Sequence, residues 1–298
     1  MANDKMLQKM AKAEGFIAAL DQSGGSTPGA LRQYGVPEDA YSNDEQMFRL
    51  IHDMRVRIMT APAFTGERVV GAILFEATMN GEAEGRPVPS YLWENRGVVP
   101  FLKVDKGLED EADGVRLMKP IPKLDELLAR AVSLGVFGTK MRSVVNDASP
   151  TGIEAIVRQQ FEVAKQIAAH GLVPIIEPEV SIKSPNKAKA EQILRDQIAK
   201  HLDAWSESGP VMLKLTIPDE NNLYVPLAEH EKVLAVVALS GGYSRAVACE
   251  KLSHNRKMIA SFSRALIDGL RKDMSDAEFD ASLGEAIDEI YRASTQKA

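Results

Sequence analysis

The sequence predicts an α/β fold, specifically a (β/α)8 TIM barrel, and three observations carry that prediction. Eight short apolar runs of strand character recur along the chain, separated by helical or loop segments. Alternation of this kind implies a parallel sheet, and 298 residues is a length at which eight such units close into a barrel. Seven of the eight runs also end in polar or charged residues, and a barrel gathers the C-terminal ends of its strands on one face. A doubly wound open sheet is the competing fold. It needs fewer strands and usually a glycine-rich turn after the first, which Ser23-Gly-Gly-Ser26 matches only weakly.

In order, residues 2–14 read as a short surface helix, and Phe16–Leu20 as a strand leading into Asp21. Met47, Leu50, Ile51, Met54 and Ile58 mark a helix over 43–60 by their spacing. A strand over Val69–Phe75, a helix over 87–95 and a strand over Val98–Leu102 follow, the last delivering Lys103 and Asp105. A helix over 123–134 leads to the strand Val136–Arg142, and a long helix over 151–169 is ended by Gly171. Val173–Ile176 then delivers Glu177 and Glu179, and a helix over 186–205 precedes the run Val211–Ile217. The strand Val233–Leu239 enters Ser240-Gly-Gly242, a helix over 244–254 follows, and Lys257–Phe262 leads to Arg264. Phe279, Leu283, Ile287 and Ile290 stripe a closing helix. The expected organisation is one TIM-barrel domain over 1–298, with a short N-terminal helix and a C-terminal helix and tail.

Composition narrows the class of function. At 45% hydrophobic residues the chain can bury a large core, and its single cysteine, Cys249, allows no internal disulfide. A reducing compartment fits, so the expected location is cytoplasmic. The charged start, Met-Ala-Asn-Asp-Lys, is not a signal peptide, and no apolar run is long enough to span a bilayer. A net charge of −6 argues against a nucleic-acid partner but not against a small anion, whose site depends on local charge.

The most informative run is Pro210-Val-Met-Leu-Lys-Leu-Thr-Ile-Pro218, apolar except for Lys214 and Thr216. A lone ammonium in a strand buried on both faces is costly, so Lys214 is either an ion-pair member or a reactive amine. Neighbouring strands break the same rule with Asp21, Lys103, Lys140 with Arg142, and Glu177 with Glu179. Lys140 and Arg142 share strand parity, as do Glu177 and Glu179, whereas Met141, Ile176, Leu213 and Leu215 fall on the opposite face. The polar set therefore points into the barrel together.

Ser240, Gly241 and Gly242 offer backbone N–H groups after the seventh strand, and Arg264 offers a guanidinium after the eighth. Barrels often bind phosphate there. Ser23, Ser26 and Lys103 form a candidate second anion cradle, and two cradles flanking a lysine suggest a bisphosphorylated carbonyl substrate. Imine formation on Lys214 needs a lowered pKa, which a second cation such as Lys140 favours. Glu177 is the candidate acid–base group for loss of water, and Asp21 is placed to hold or deprotonate a substrate hydroxyl.

As a set, Ala-Leu-Asp21-Gln-Ser-Gly-Gly-Ser26, Leu-Lys103-Val-Asp-Lys-Gly107, Lys140-Met-Arg142, Ile-Glu177-Pro-Glu179, Leu-Lys214, Leu-Ser240-Gly-Gly242 and Phe-Ser-Arg264-Ala resemble the class I fructose-1,6-bisphosphate aldolases, nearest their shorter bacterial branch. The resemblance implies reversible cleavage of fructose 1,6-bisphosphate to dihydroxyacetone phosphate and glyceraldehyde 3-phosphate, in glycolysis and gluconeogenesis. It implies that Lys214 forms the Schiff base and Glu177 is the main acid–base group, with Asp21, Lys140 and Glu179 assisting. Substrate binding would fall to Ser240, Gly241, Gly242 and Arg264 at the C1 phosphate, and to Ser23, Ser26 and Lys103 at the C6 phosphate, with Arg142 in the substrate-binding set. Two departures stand out. The animal enzymes end in a tyrosine that helps proton exchange on the enamine, whereas here the last tyrosine is Tyr291. Lys214 is followed by Leu-Thr-Ile-Pro, where the animal form has Lys-Pro-Asn.

Another Schiff-base barrel aldolase acting on a different phosphorylated sugar is the alternative enzyme. A phosphosugar-binding regulator is the non-enzymatic alternative, and it would need neither Lys214 nor Glu177. A metal-dependent aldolase would need clustered histidines, but His52, His170, His201, His230 and His254 stand apart, so neither a metal nor another cofactor is expected. The sequence leaves a homo-oligomer open.

Overall fold

The structure is a computed structural model that describes residues 2–12, 14–23 and 27–298. Its sheet is built from β1 (Phe16–Leu20), β2 (Val69–Leu74), β3 (Val99–Lys103), β4 (Gly138–Val145), β5 (Val173–Val180), β6 (Val211–Thr216), β7 (Val233–Leu239) and β8 (Met258–Ala260). Each strand pairs in parallel with the next, in chain order, as a barrel requires. Between β8 and β1 no ladder forms. There the ring closes through the Ala19 N–H, which donates to the Phe262 carbonyl at 3.0 Å.

The longer helices are α1 (Ala2–Lys12), α2 (Thr27–Gln33), α3 (Asp44–Thr60), α4 (Leu124–Ser133), α5 (Pro150–Ala169), α6 (Lys187–Asp203), α7 (Arg245–Ser253) and α8 (Asp276–Thr295). Their starts follow local chemistry. Asn43 caps α3 by accepting from the Gln46 N–H, Ser149 caps α5 with Pro150 behind it, and Ser275 with Glu278 forms a capping box on α8.

Three differences from the sequence reading have physical causes. Strand β4 begins at Gly138 and runs to Val145, and β5 runs to Val180, beyond the apolar stretch that ends at Ile176. The two strands pair along their whole length, and ion pairs instead of apolar contacts fill the inner positions of the extension. Residues 87–95 form a short turn of helix, Val88–Ser90, continued by a π-helical turn at Tyr91–Asn95. Helix α2 and the two-residue strand Val115–Arg116, antiparallel to β4, are additions that apolar periodicity did not reveal.

Strand alternation separates two layers. Outward residues such as Leu102, Met141, Ile176, Leu213 and Leu215 pack with the helices in one large cluster. Inward residues near the strand starts, among them Ile17, Phe101, Ile175, Met212 and Val237, form a second cluster that includes Met6 and Met10 of α1. Helix α1 thus stoppers the lower end of the barrel, and the interior above this apolar half is charged.

That division gives a prediction. Met10 is 0% exposed in the stopper, so Met10→Ala should cost about 2–5 kcal/mol of stability by urea unfolding. Turnover per folded molecule should stay within about twofold of the parent, because a group this far from the charged end does not set its geometry.

Candidate active site

The charged end of the barrel grows directly from the inward rows of the strands. Beyond Ile17 and Ala19 the β1 row places Asp21; beyond Val99 and Phe101 the β3 row places Lys103. Strand β4 contributes Lys140 and Arg142, β5 contributes Glu177 and Glu179, and β6 contributes Lys214 above Met212. Lys103 stands in register with Lys140, and Arg142 with Glu177. The sequence reading that these side chains converge is therefore what the structure contains.

At the centre is the carboxylate of Glu177, 3% exposed. Its Oε1 lies 3.1 Å from Lys214 Nζ and its Oε2 lies 2.9 Å from Lys140 Nζ. The second contact is an ion pair without hydrogen-bonding angles, and it leaves Oε2 with no hydrogen bond. Lys140 Nζ also sits 2.6 Å from Asp21 Oδ2, so four charges alternate in one line from Asp21 to Lys214. Burial raises the Asp21 carboxyl, but Lys140, then Lys214 and Lys103, outweigh it and hold the group well below the usual carboxylate range. Burial lowers the Lys140 ammonium, but Asp21, Glu177 and Asp105 outweigh it and hold it well above the usual lysine range. Lys140 is thus a cation and Asp21 an anion at neutral pH in the site without substrate. Beside them Arg142 Nε pairs with Glu179 Oε2 at 2.5 Å, and Glu179 keeps the guanidinium charged against the opposing effect of burial.

Buried amides and hydroxyls hold this line in place. Gln160 of α5, fully buried, accepts the Glu177 backbone N–H at 2.8 Å and donates to Ser143 Oγ at 3.0 Å. Thr216 Oγ1 donates to the Val180 carbonyl at 2.7 Å, tying the end of β6 to β5. After β6, Lys187 Nζ reaches Glu191 (2.6 Å), the Ile217 carbonyl (3.0 Å) and Asp219 (2.9 Å), fixing the turn that follows the Lys214 strand. Gln160 and Lys187 were not singled out from sequence. Gln160 lies on the buried stripe of α5 with Ile153, Ile156 and Val157, and a polar residue on an apolar stripe is the available signal.

The rim carries the anion-binding candidates. Gly241 and Gly242 have φ of +60° and +112°, and a Cβ at Gly241 would lie 2.7 Å from Ile182 Cγ2. Glycine is required there, and the backbone can then turn after the buried Ser240. Arg264 is exposed, carries no ion pair among the described residues, and places Nη2 3.7 Å from where a Gly242 Cβ would be. The two parts of the first cradle are therefore neighbours. Of the second cradle, Lys103 Nζ is held by Asp105 Oδ1 at 2.6 Å and the Asp105 carbonyl at 2.8 Å. Ser23 follows Asp21 in the β1 loop, and Ser26 lies outside the described residues. No group of three or more His, Cys, Asp or Glu side chains placed to hold a metal ion occurs among the described residues.

The sequence model of the glycolytic class I fructose-bisphosphate aldolase family matches residues 4–217. The chain is 59% identical to fructose-bisphosphate aldolase class 1 of Synechocystis sp. over 292 residues, covering 98% of this chain and 97% of that one. It is 56% identical to the enzyme of the same name from Porphyromonas gingivalis, covering 98% and 99%. Among solved structures, the Plasmodium falciparum fructose-bisphosphate aldolase superposes with a TM-score of 0.75 at 21% identity, over 100% of this chain and 96% of that one. An archaeal fructose-1,6-bisphosphate aldolase, captured with its catalytic lysine bound to a carbinolamine, superposes at 0.53 with 12% identity, over 98% and 100%. The two structures share the barrel fold. By the family match and the near-full-length relatives, this chain belongs to the class I fructose-bisphosphate aldolase family.

Proposed function

We propose that Lys214 carries the reaction of this family in the present chain, the reversible cleavage of fructose 1,6-bisphosphate to dihydroxyacetone phosphate and glyceraldehyde 3-phosphate. The observation that carries the assignment is the Glu177 carboxylate, 3.1 Å from Lys214 Nζ and itself braced by Lys140. Glu177 takes the proton that the Lys214 amine must lose before it adds to the substrate carbonyl. Returned to the carbinolamine hydroxyl, the proton lets water leave, and a positively charged imine forms on Nζ. Asp21 accepts the proton of the C4 hydroxyl, and the C3–C4 bond breaks as its electron pair moves into the imine. The aldehyde departs and an enamine stays on Lys214. Protonation of the enamine and addition of water then release the ketone phosphate.

Lys140 makes this sequence electrostatically feasible, since it keeps Asp21 and Glu177 from repelling each other in a dry site. Arg142 and Glu179 complete the charge balance beside them. Ser240, Gly241, Gly242 and Arg264 hold the C1 phosphate, and Ser23, Ser26 and Lys103 the C6 phosphate. Lys103 must then loosen its hold on Asp105 as the phosphate arrives. The proposed compartment is the cytoplasm. No helix of the described residues is long and apolar enough to cross a membrane, and burial pushes the lone Cys249 thiol up to about 12, a form that resists oxidation.

Three outcomes follow. Borohydride reduction in the presence of dihydroxyacetone phosphate should leave a stable adduct on Lys214, located by peptide mass mapping, with cleavage unaffected by EDTA. A missing adduct, or activity lost to EDTA, would sink the imine mechanism. Glu177→Gln should lower kcat about 10²–10⁴-fold, the usual scale for a positioned acid–base group. Lys140→Met should cost about 3–5 kcal/mol at pH 7, because it leaves buried carboxylates unpaired. Asp21 contributes stability above its unfolded pKa near 4 and loses it as pH falls toward the depressed folded value. The gap between wild type and Lys140→Met should therefore narrow in acid, as read from urea midpoints across pH.

A further inference from the structure

The seam where β8 meets β1 carries one backbone hydrogen bond, from Ala19 to Phe262, where the other seven junctions carry ladders. Just above it the side chain of Gln22, 7% exposed, spans the same seam. Gln22 Nε2 donates to Ser263 Oγ at 2.7 Å. Gln22 directly follows Asp21, and Ser263 directly precedes Arg264. One amide therefore links the strand end carrying Asp21 to the loop carrying the Arg264 guanidinium.

The amide is oriented from below. Arg55 of α3 is 0% exposed and has no ion-pair partner among the described residues. Its Nη2 donates to the Gln22 carbonyl and lies 3.3 Å from Gln22 Oε1, and its Nη1 donates to Thr78 Oγ1 at 2.8 Å. A guanidinium has no acceptor, so it can only face the amide oxygen, and the amide NH2 must then face Ser263. Ser263 shows the other half of the arrangement. It stands at the N-cap of the helical turn Arg264–Ile267, yet its side chain makes no capping bond. A serine at that position ordinarily accepts from a backbone N–H of the turn, and here its oxygen accepts from Gln22.

We infer that Gln22 is a positioning residue, held by Arg55, that sets the distance between the phosphate anchor at Arg264 and the charged line that begins at Asp21. This rests on the proposed C1-phosphate role of Arg264. Its consequence is that phosphate binding at the rim and chemistry at Lys214 share one geometry only while the seam is latched. A phosphorylated ketone depends on that geometry. An unphosphorylated one, which does not engage Arg264, does not.

The test compares adduct formation on Lys214, trapped by borohydride, for dihydroxyacetone phosphate and for dihydroxyacetone. Ser263→Ala removes the acceptor and leaves Arg55 on Gln22; Gln22→Leu removes the donor. In Ser263→Ala the half-saturating concentration of dihydroxyacetone phosphate should rise about tenfold, the scale of one lost buried hydrogen bond, and in Gln22→Leu, which also gives up the amide oxygen facing Arg55, at least that much, while that of dihydroxyacetone moves less than about twofold in both. The double variant should be no worse than Gln22→Leu alone, because that variant already lacks the donor that Ser263 accepts from. Equal shifts for the two ketones, no shift for the phosphate, or additive losses would overturn the inference. If Gln22→Leu folds poorly by urea midpoint, Ser263→Ala alone decides. A wild-type protein that forms no adduct would refute the imine reading instead, before any variant is compared.

Discussion

A carboxylate buried between two ammonium groups is the constraint on which the upper half of this barrel depends. Transferring Glu177 alone into such a site would cost several kcal/mol, and so would transferring Lys140 or Lys214 alone. Together they are tolerable only with close contacts, which the separations of 2.6–3.1 Å provide, on a backbone that Gln160 fixes by accepting the Glu177 N–H. The same rule governs the neighbours. Asp21, Asp105, Glu177 and Glu179 are matched by Lys103, Lys140, Arg142 and Lys214, so the acids and bases balance. Within this set of eight, no positive charge is left over for a doubly anionic phosphate. In the proposed reading that charge comes from the rim, where Arg264 and the glycine turn stand outside the paired set.

Rigidity follows from where the supporting groups come from. Gln160 rises from α5, Lys187 from α6 and Arg55 from α3, so three outer helices each extend a polar side chain through the apolar layer to fix a loop or backbone group. Each of these groups is held by two or more partners, which makes its position overdetermined. Geometry of that kind lets the charged line keep its spacing without reorganising.

Much of this was legible in the sequence because barrels write their chemistry in parity. The charged residues Lys140, Arg142, Glu177, Glu179 and Lys214 fall on one face of their strands and Met141, Ile176, Leu213 and Leu215 on the other, so both the fold and the direction of the site could be read. The boundaries of β4 and β5 were harder. An apolar run stops at its first charge, but a strand whose inner charges are paired with a neighbour does not. Arg55 and Gln160 were missed for a related reason. Helical periodicity marks the buried stripe by its apolar members, and a polar residue on that stripe looks like a gap until its partners, distant in sequence, are known. Gln22 had no local signal, since its partner Ser263 is 241 residues away and only barrel closure brings them together.

The closing residues of the chain have a consequence of a more practical sort. Lys297 Nζ reaches the carbonyls of Leu252, Met258 and Ala293, and the Ala298 N–H donates to Ser253, which pins this segment beside the start of β8. Helix α1 lies beneath the strand starts as well. Both ends of the described chain therefore sit on the floor of the molecule, with the charged opening on the roof. A support, a reporter or a second enzyme fused through either end would leave the opening facing outward. In a tethered cascade, a small product could then leave one catalyst and reach the next without passing the anchor.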